Sequence, residues 1–231
     1  MAKYGAYFAS GSMGWVTPDT IPMHFIKKIQ NVVSMGNGVT SALLDTGVSS
    51  SIAMIPFVQV EGDSATVSIE IEVRNGRWGV VFGRDSGSSA AISFTARVYV
   101  FYTQVPQPMP KYGMAIFNAS GQCILTNETN PLRIFDTVTL KSSGLNVPAE
   151  TKTYAGKSIA IYPQSTGYTV GNIQGPSGPP LIVQAFSSYC ARKIGSNTLV
   201  TPAYRRGTSG SVNFWFTPSI PTYVIDTSYY D

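Results

Sequence analysis

The chain has 231 residues, of which 43% are hydrophobic and only 12% charged, with a net charge of +4. That apolar content excludes a disordered chain, and about half the usual share of charge argues for surfaces that rest against other protein. The basic residues are scattered, with only Lys27-Lys28 and Arg205-Arg206 adjacent, so the clustered footprint of a nucleic-acid binder is missing.

Residues 3–11 read Lys-Tyr-Gly-Ala-Tyr-Phe-Ala-Ser-Gly and residues 111–121 read Lys-Tyr-Gly-Met-Ala-Ile-Phe-Asn-Ala-Ser-Gly. Thr20-Ile21-Pro22-Met23 then answers Thr129-Asn130-Pro131-Leu132. Ser51-Ile52-Ala53 answers Ser158-Ile159-Ala160. The offsets are 108 at Lys3, 109 at Thr20 and 107 at Ser51. Three blocks at near-constant spacing argue for tandem duplication. The expected organisation is a first repeat over 1–105, a Pro-rich linker over 106–110, and a second repeat with a tail over 111–231. Many turn-formers beside β-branched and aromatic residues make the expected fold all-β, two tandem β-sandwich-like domains.

In chain order, Tyr4–Phe8 and Gly14–Val16 are predicted strands around Gly11. Their counterparts Met114–Phe117 and Cys123–Thr126 flank Gly121 as a hairpin. Met23–Val33 has some helical spacing, but its partner Leu132–Leu140 is β-branched and alternating, so both are read as strands. Ser51–Val60 is a strand whose Pro56 suggests an edge or a bulge. Ala65–Val73 alternates Ala65, Val67, Ile69, Ile71 and Val73 with polar residues. Asn75-Gly76 is a strong type I′ turn signal, and Trp78–Phe82 returns. Ala91–Tyr102 ends the first repeat. Tyr99 and Phe101 stand on its polar side, which implies that this side is covered too.

Thr103–Pro110, with three prolines, reads as a stiff extended spacer. Ser158–Tyr162, Tyr168–Val170, Leu181–Phe186, Thr198–Val200 and Val212–Phe216 follow as strands, and Gly171–Pro180 as a loop. The tail Thr222–Asp231 is aromatic and β-prone, suited to adding a strand to a neighbour's sheet edge.

Chemistry is sparse. His24 is the lone histidine; Arg133 takes its place in the second repeat, so it reads as a strand-surface residue. Arg84-Asp85-Ser86-Gly87 reads as a Ser/Gly-rich loop, since a nucleophilic triad needs a histidine held beside the serine. Glu70 and Glu72 share a strand face, which fits a solvent face better than a glycosidase pair. Cys123 and Cys190 have no counterparts in the first repeat and read as reduced thiols of a cytosol-assembled protein. No metal or cofactor site is expected, and no enzyme activity. The repeat begins at once, leaving no room for a signal peptide, and no apolar run reaches membrane-spanning length. Trp15 and Trp78 offer stacking surfaces. Trp215 alternates with Phe214 and Phe216. With Tyr99, Phe101, Tyr223, Tyr229 and Tyr230, Trp215 forms the candidate interface.

The block Lys111–Gly121, followed by Pro131–Val138, resembles the opening of small proteins encoded among the tail genes of tailed bacteriophages. The resemblance covers about thirty residues of each repeat. It implies a β-rich virion component near the tail tip or fibre region, assembled in the host cytoplasm, and it carries over no enzymatic residues. On that reading the partners are other phage structural proteins and further copies of the chain in a symmetric assembly. No nucleic acid or membrane span enters. The alternatives are a receptor- or carbohydrate-binding module that meets a host surface glycan through Gly171–Pro180 and Arg84–Ser89, or a capsid decoration protein.

Overall fold

The computed structural model describes residues 21–62, 67–84, 90–141, 150–173, 181–206, 211–216 and 220–231; within 168–186 and 204–216 the backbone alone is described. The predicted strands at Tyr4–Phe8 and Gly14–Val16 lie outside these residues. The fold is all-β. The first half contributes β1 (His24–Met35), β2 (Ser41–Ser49), β3 (Met54–Gly62), β4 (Ser68–Arg74), β5 (Arg77–Gly83) and β6 (Ile92–Tyr102). After the proline-rich segment come β7 (Ala115–Phe117), β8 (Cys123–Thr126), β9 (Asp136–Val138), β10 (Lys152–Tyr154) and β11 (Ile159–Ile161). The last are β12 (Ser165–Ile173), β13 (Leu181–Ile194), β14 (Asn197–Arg206), β15 (Ser211–Phe216) and β16 (Thr222–Asp226). Among the described residues the only helical turn is a 3-10 turn at Thr227–Tyr229.

Local chemistry sets the hairpins. Asn75 and Gly76 both have positive φ, 52° and 73°, so the β4–β5 turn has the twist a two-residue hairpin requires. Gly121, at φ 75°, closes β7–β8 where the sequence places a glycine turn. Pro56 pairs with Val100 of β6 on one side, while the pairing with β11 on the other begins only at Val58. The missing donor therefore falls where that side of β3 has no ladder partner.

The strand order β1–β6–β3 on one side is matched by β9–β16–β11 on the other, and β2–β5–β4 by β10–β14–β13. β3 and β11 pair antiparallel at Val58 and Ile161, so the two three-strand orders join into one continuous sheet. β13 also adds to β3, in parallel, at Arg192–Val60. Gln59 fastens the join. Its buried amide donates to the Ile159 carbonyl at 2.9 Å and to Ser158 Oγ at 3.0 Å, and its oxygen accepts from Arg97 at 3.0 Å.

Three apolar clusters follow from this layout. The first lies between β1–β6–β3 and β2–β5–β4 and includes Val58, Ile69, Phe82 and Val98. The second lies between β9–β16–β11 and β10–β14–β13 and includes Val138, Tyr154, Ile161 and Val224. The third covers the opposite face of the joined sheet: Phe57, Tyr99, Phe101, Ala160, Ile225 and Tyr230. β6 is thus buried on both faces, as its aromatic outer positions imply.

The cover is the chain's own tail, which corrects two expectations. Tyr99 and Phe101 are fully buried and Tyr230 nearly so, which places all three in the interior and not at an interface. The Tyr230 ring meets Phe101 edge-on at 4.9 Å and Phe25 at 5.3 Å. Each such contact adds about 0.5–1.5 kcal/mol beyond burial. The tail does add a strand, but to its own sheet: β16 sits between β11 and β9. An edge within the same chain needs no second molecule to satisfy its backbone groups.

Other expectations shift in detail. Gly171–Ile173 continue β12 as strand and not loop, because all three pair with β13, and Gly171 and Asn172 with β15 as well; residues 174–180 lie outside the described set. The proline-rich segment, read as a stiff spacer, is also fastened down, for Gln107 is buried and its backbone N–H donates to the Cys123 carbonyl at 2.7 Å. Met23–Val33 is a strand as read, whereas only Asp136–Val138 of Leu132–Leu140 is one. Cys123 and Cys190 are unpaired and buried.

Candidate functional site

The third cluster is incompletely covered. On its face a groove of about 410 Å³ is lined by Ile55, Phe57, Leu132, Ile134, Tyr162 and Tyr223. It lies over the β3–β11–β16 join. Ile55 and Phe57 come from β3, Tyr162 directly follows β11, and Tyr223 belongs to β16. The backbone holds these walls together: the Tyr162 N–H donates to the Tyr223 carbonyl at 3.0 Å, and the Phe135 N–H to the Val224 carbonyl at 2.7 Å. Phe57 is fully buried at the floor, while Ile134 is 39% and Tyr223 52% exposed at the rim. Among the described residues, no charged side chain lines the groove. Such a surface accepts an apolar side chain; it offers little to a sugar, whose hydroxyls need convergent polar partners.

Exposed aromatics extend the surface. Tyr229 carries the Arg133 guanidinium over its ring at 5.2 Å. Phe135 carries the Lys157 ammonium at 4.7 Å, and Lys157 also pairs with Asp226 at 3.0 Å. At the β9 edge, Asp136 accepts from Lys152 at 2.6 Å and from the Tyr154 phenol at 2.7 Å. Burial opposes ionisation of Asp136, but the bonds from Lys152, Tyr154 and the Thr137 amide outweigh it and hold the carboxyl below its ordinary range. Charge at a short edge strand discourages open-ended strand addition there.

Of the six aromatic residues singled out in the sequence, Tyr223 and Tyr229 are on this surface. Tyr99, Phe101 and Tyr230 lie beneath it. Trp215 sits on β15 opposite Thr169, and its side chain lies outside the described residues. Sequence reasoning missed Ile55, Leu132 and Ile134 as surface formers. The available signal was the apolar pair Ile134-Phe135 in a segment too irregular to bury both.

The chemical candidates are dispersed. His24 is buried, not on a strand surface; its Nδ1 is 3.2 Å from the Pro22 carbonyl and its Nε2 2.6 Å from the Gln107 amide nitrogen. Arg84 is buried as well. Its guanidinium donates to the carbonyls of Val39 at 2.7 Å, Gly36 at 2.7 Å, and Ala90. Residues 85–89 lie outside the described set. Glu72 pairs with Arg74 at 3.2 Å. Glu70 borders a second cavity, of about 350 Å³, with Tyr162, Pro163, Ser165, Ser187 and Ser188. All three serines are engaged inside the protein: Ser188 Oγ accepts from the Ile69 N–H at 2.6 Å, Ser187 Oγ donates to the Gly167 carbonyl at 3.2 Å, and Ser165 Oγ donates to the Ser187 carbonyl at 3.3 Å. Trp78 is half-buried and its indole N–H donates to the Ile52 carbonyl at 2.8 Å. Among the described residues, no three His, Cys, Asp or Glu side chains gather as metal ligands, and no helix is long and apolar enough to cross a membrane.

A family model described as "Family of unknown function (DUF6453)" matches residues 29–175. No curated protein and no solved structure matches the chain.

Proposed function

The chain belongs to this family of unknown function, DUF6453, and from its own residues we propose that it is a non-enzymatic structural protein of a tailed-bacteriophage virion, placed near the tail tip or fibre attachment. It acts by assembly. An apolar side chain of a neighbouring virion subunit enters the groove at Ile134 and Tyr223, and repeated copies arrange symmetrically. The observation that carries the reading is this uncharged groove on a protein with so little charge overall. An apolar recess with a floor that is already packed is suited to a protein partner. The opening of the second repeat, Lys111–Gly121, supplies the resemblance to tail-gene products. The matching strand orders on the two sides of Pro106–Pro110 support descent from a duplicated unit.

A second reading, a module for a host surface glycan, draws on the cavity beside Glu70, where Tyr162 offers a ring and Ser165 a hydroxyl. Mass spectrometry of purified virions, with antibody-labelled electron microscopy, tests the first. It predicts the chain in the particle, and loss of incorporation in Ile134→Asp and Tyr223→Asp variants that still fold. An isolated chain that binds a glycan array, and is absent from virions, overturns it in favour of the second.

A further inference from the structure

His24 is the only histidine of the chain, and both its ring nitrogens are committed. Nδ1 faces the Pro22 carbonyl, and a carbonyl only accepts, so Nδ1 carries the hydrogen. Nε2 faces the Gln107 amide nitrogen, which is also 2.6 Å from the Gln104 carbonyl oxygen. The two amide hydrogens therefore meet two acceptors. Turning the amide over would set its oxygen against the Gln104 oxygen. The neutral tautomer with a bare Nε2 is fixed from both ends. A proton on Nε2 would set one donor against another at 2.6 Å.

This bond adds to backbone contacts that gather several segments of the chain. Gln107 ties the 103–110 segment to β8 through the Cys123 carbonyl. The Phe25 N–H donates to the Asn130 carbonyl and the Leu132 N–H to the Met23 carbonyl, each at 2.8 Å, joining the stretch after β8 to the start of β1. Beside the pair is a cavity of about 280 Å³, lined also by Gln104, Thr126, Glu128 and Asn130, into which the side chains can part.

We propose that His24 and Gln107 form a proton-operated latch, which holds residues 103–110 and the β7–β8 hairpin against the start of β1 and opens when His24 is protonated. This does not rest on the virion reading. The charged and titratable neighbours come from each side. Glu128, after β8, lines the same cavity and is the carboxylate to which a cationic imidazole would turn. Tyr102 of β6 is the register partner of His24, and Lys27 and Lys28 follow on β1 beyond its bulge. Residues 103–110 carry no ionisable side chain. Burial pushes the imidazole below its ordinary 6.5, with the Pro22 carbonyl working the other way. The latch is therefore fully closed above about pH 6.5, where folded and unfolded imidazoles are both neutral. It weakens as pH falls below that value toward the folded pKa.

A lone histidine gives an unambiguous probe. The ring-proton NMR shift of His24 and the amide exchange of the full chain are followed together on acidification, with exchange corrected for its intrinsic pH dependence. The expected result is that protection of the Gln107 amide and of residues 115–126 begins to fall below about pH 6.5, by up to about tenfold per pH unit, the limit for one proton, and levels off where His24 itself titrates. In His24→Gln that acid-induced loss disappears. In Gln107→Glu the carboxylate favours the protonated imidazole, and the His24 midpoint moves to higher pH. Two results overturn the latch: a His24 titration that leaves protection unchanged, or the same acid-induced loss in His24→Gln. Should either variant fail to fold, the two wild-type curves decide: a loss of protection that ends at the His24 midpoint supports the latch, and one that continues through it refutes it.

Discussion

The phenol of Tyr99, on a strand closing the first half of the chain, donates to the carboxylate of Asp231 at 2.9 Å, across 132 residues of sequence. The same carboxylate oxygen accepts from Lys28 at 2.9 Å. Burial disfavours the Asp231 charge, yet the bonds from Lys28, Tyr99 and Thr227 more than compensate, and its carboxyl is held below the ordinary 3.8. Its contribution is therefore complete above about pH 3.8 and is lost as pH falls through the lowered folded value. Tyr99→Phe removes the buried donor and leaves the ring packing. The expected cost is about 1.5 kcal/mol by urea unfolding at neutral pH, shrinking in acid as Asp231 protonates. An equal cost at both pH values would contradict this account.

The alkaline limit has the same origin with the opposite sign. Burial raises the phenols of Tyr99, Tyr154, Tyr189 and Tyr230 above the ordinary 10.0. As pH rises beyond about 10, the unfolded chain releases these protons first, so stability declines. Ultraviolet titration should show a cooperative step above about pH 10 that coincides with loss of the far-ultraviolet β signal. A single smooth titration of all thirteen tyrosines would count against the buried set.

At the β4–β5 turn, a side chain added at Gly76 would meet nothing within 4 Å, so any cost of Gly76→Ala is conformational and not steric. Positive φ costs a residue with Cβ about 1 kcal/mol or somewhat more. The expected loss of that size, read from the urea midpoint with the slope unchanged, isolates the turn's demand.

Arg84 joins three backbone carbonyls from two connections, β1–β2 and β5–β6. A lysine head is one point and cannot span them. Arg84→Lys should cost at least about 2 kcal/mol, because buried carbonyls are left without donors. Near-neutral behaviour in thermal unfolding would show that the connections stand without it.

What the sequence displayed depended on how local the cause was. Asn75-Gly76 was legible because its turn constrains its own two residues. The double burial of β6 was legible from Tyr99 and Phe101, but its cover, Tyr230, is far along the chain and gave no nearby sign. β2 went unread. Its buried positions are Leu44, Thr46 and Val48, an alternation interrupted by Gly47 and a threonine that reads as polar. There Thr46 Oγ1 donates to the Trp78 carbonyl at 2.6 Å, which makes its burial tolerable. His24 and Arg84 read as surface or loop residues because polar residues usually are. Their burial depends on acceptors supplied by distant turns. The groove was illegible for the same reason, since Ile55, Leu132 and Tyr223 come from three separate stretches.

The pairing of Val58 with Ile161 also sets an order of events at the ribosome. Translation proceeds at about 5–20 residues per second, so β3 emerges roughly 5–20 s before the strand that completes its far side. Throughout that interval a nascent first half presents an open ladder. Glu61, beside Val60 on that strand and paired with Arg97 of β6, keeps a charged group at the open edge, which Lys193 later approaches at 3.9 Å.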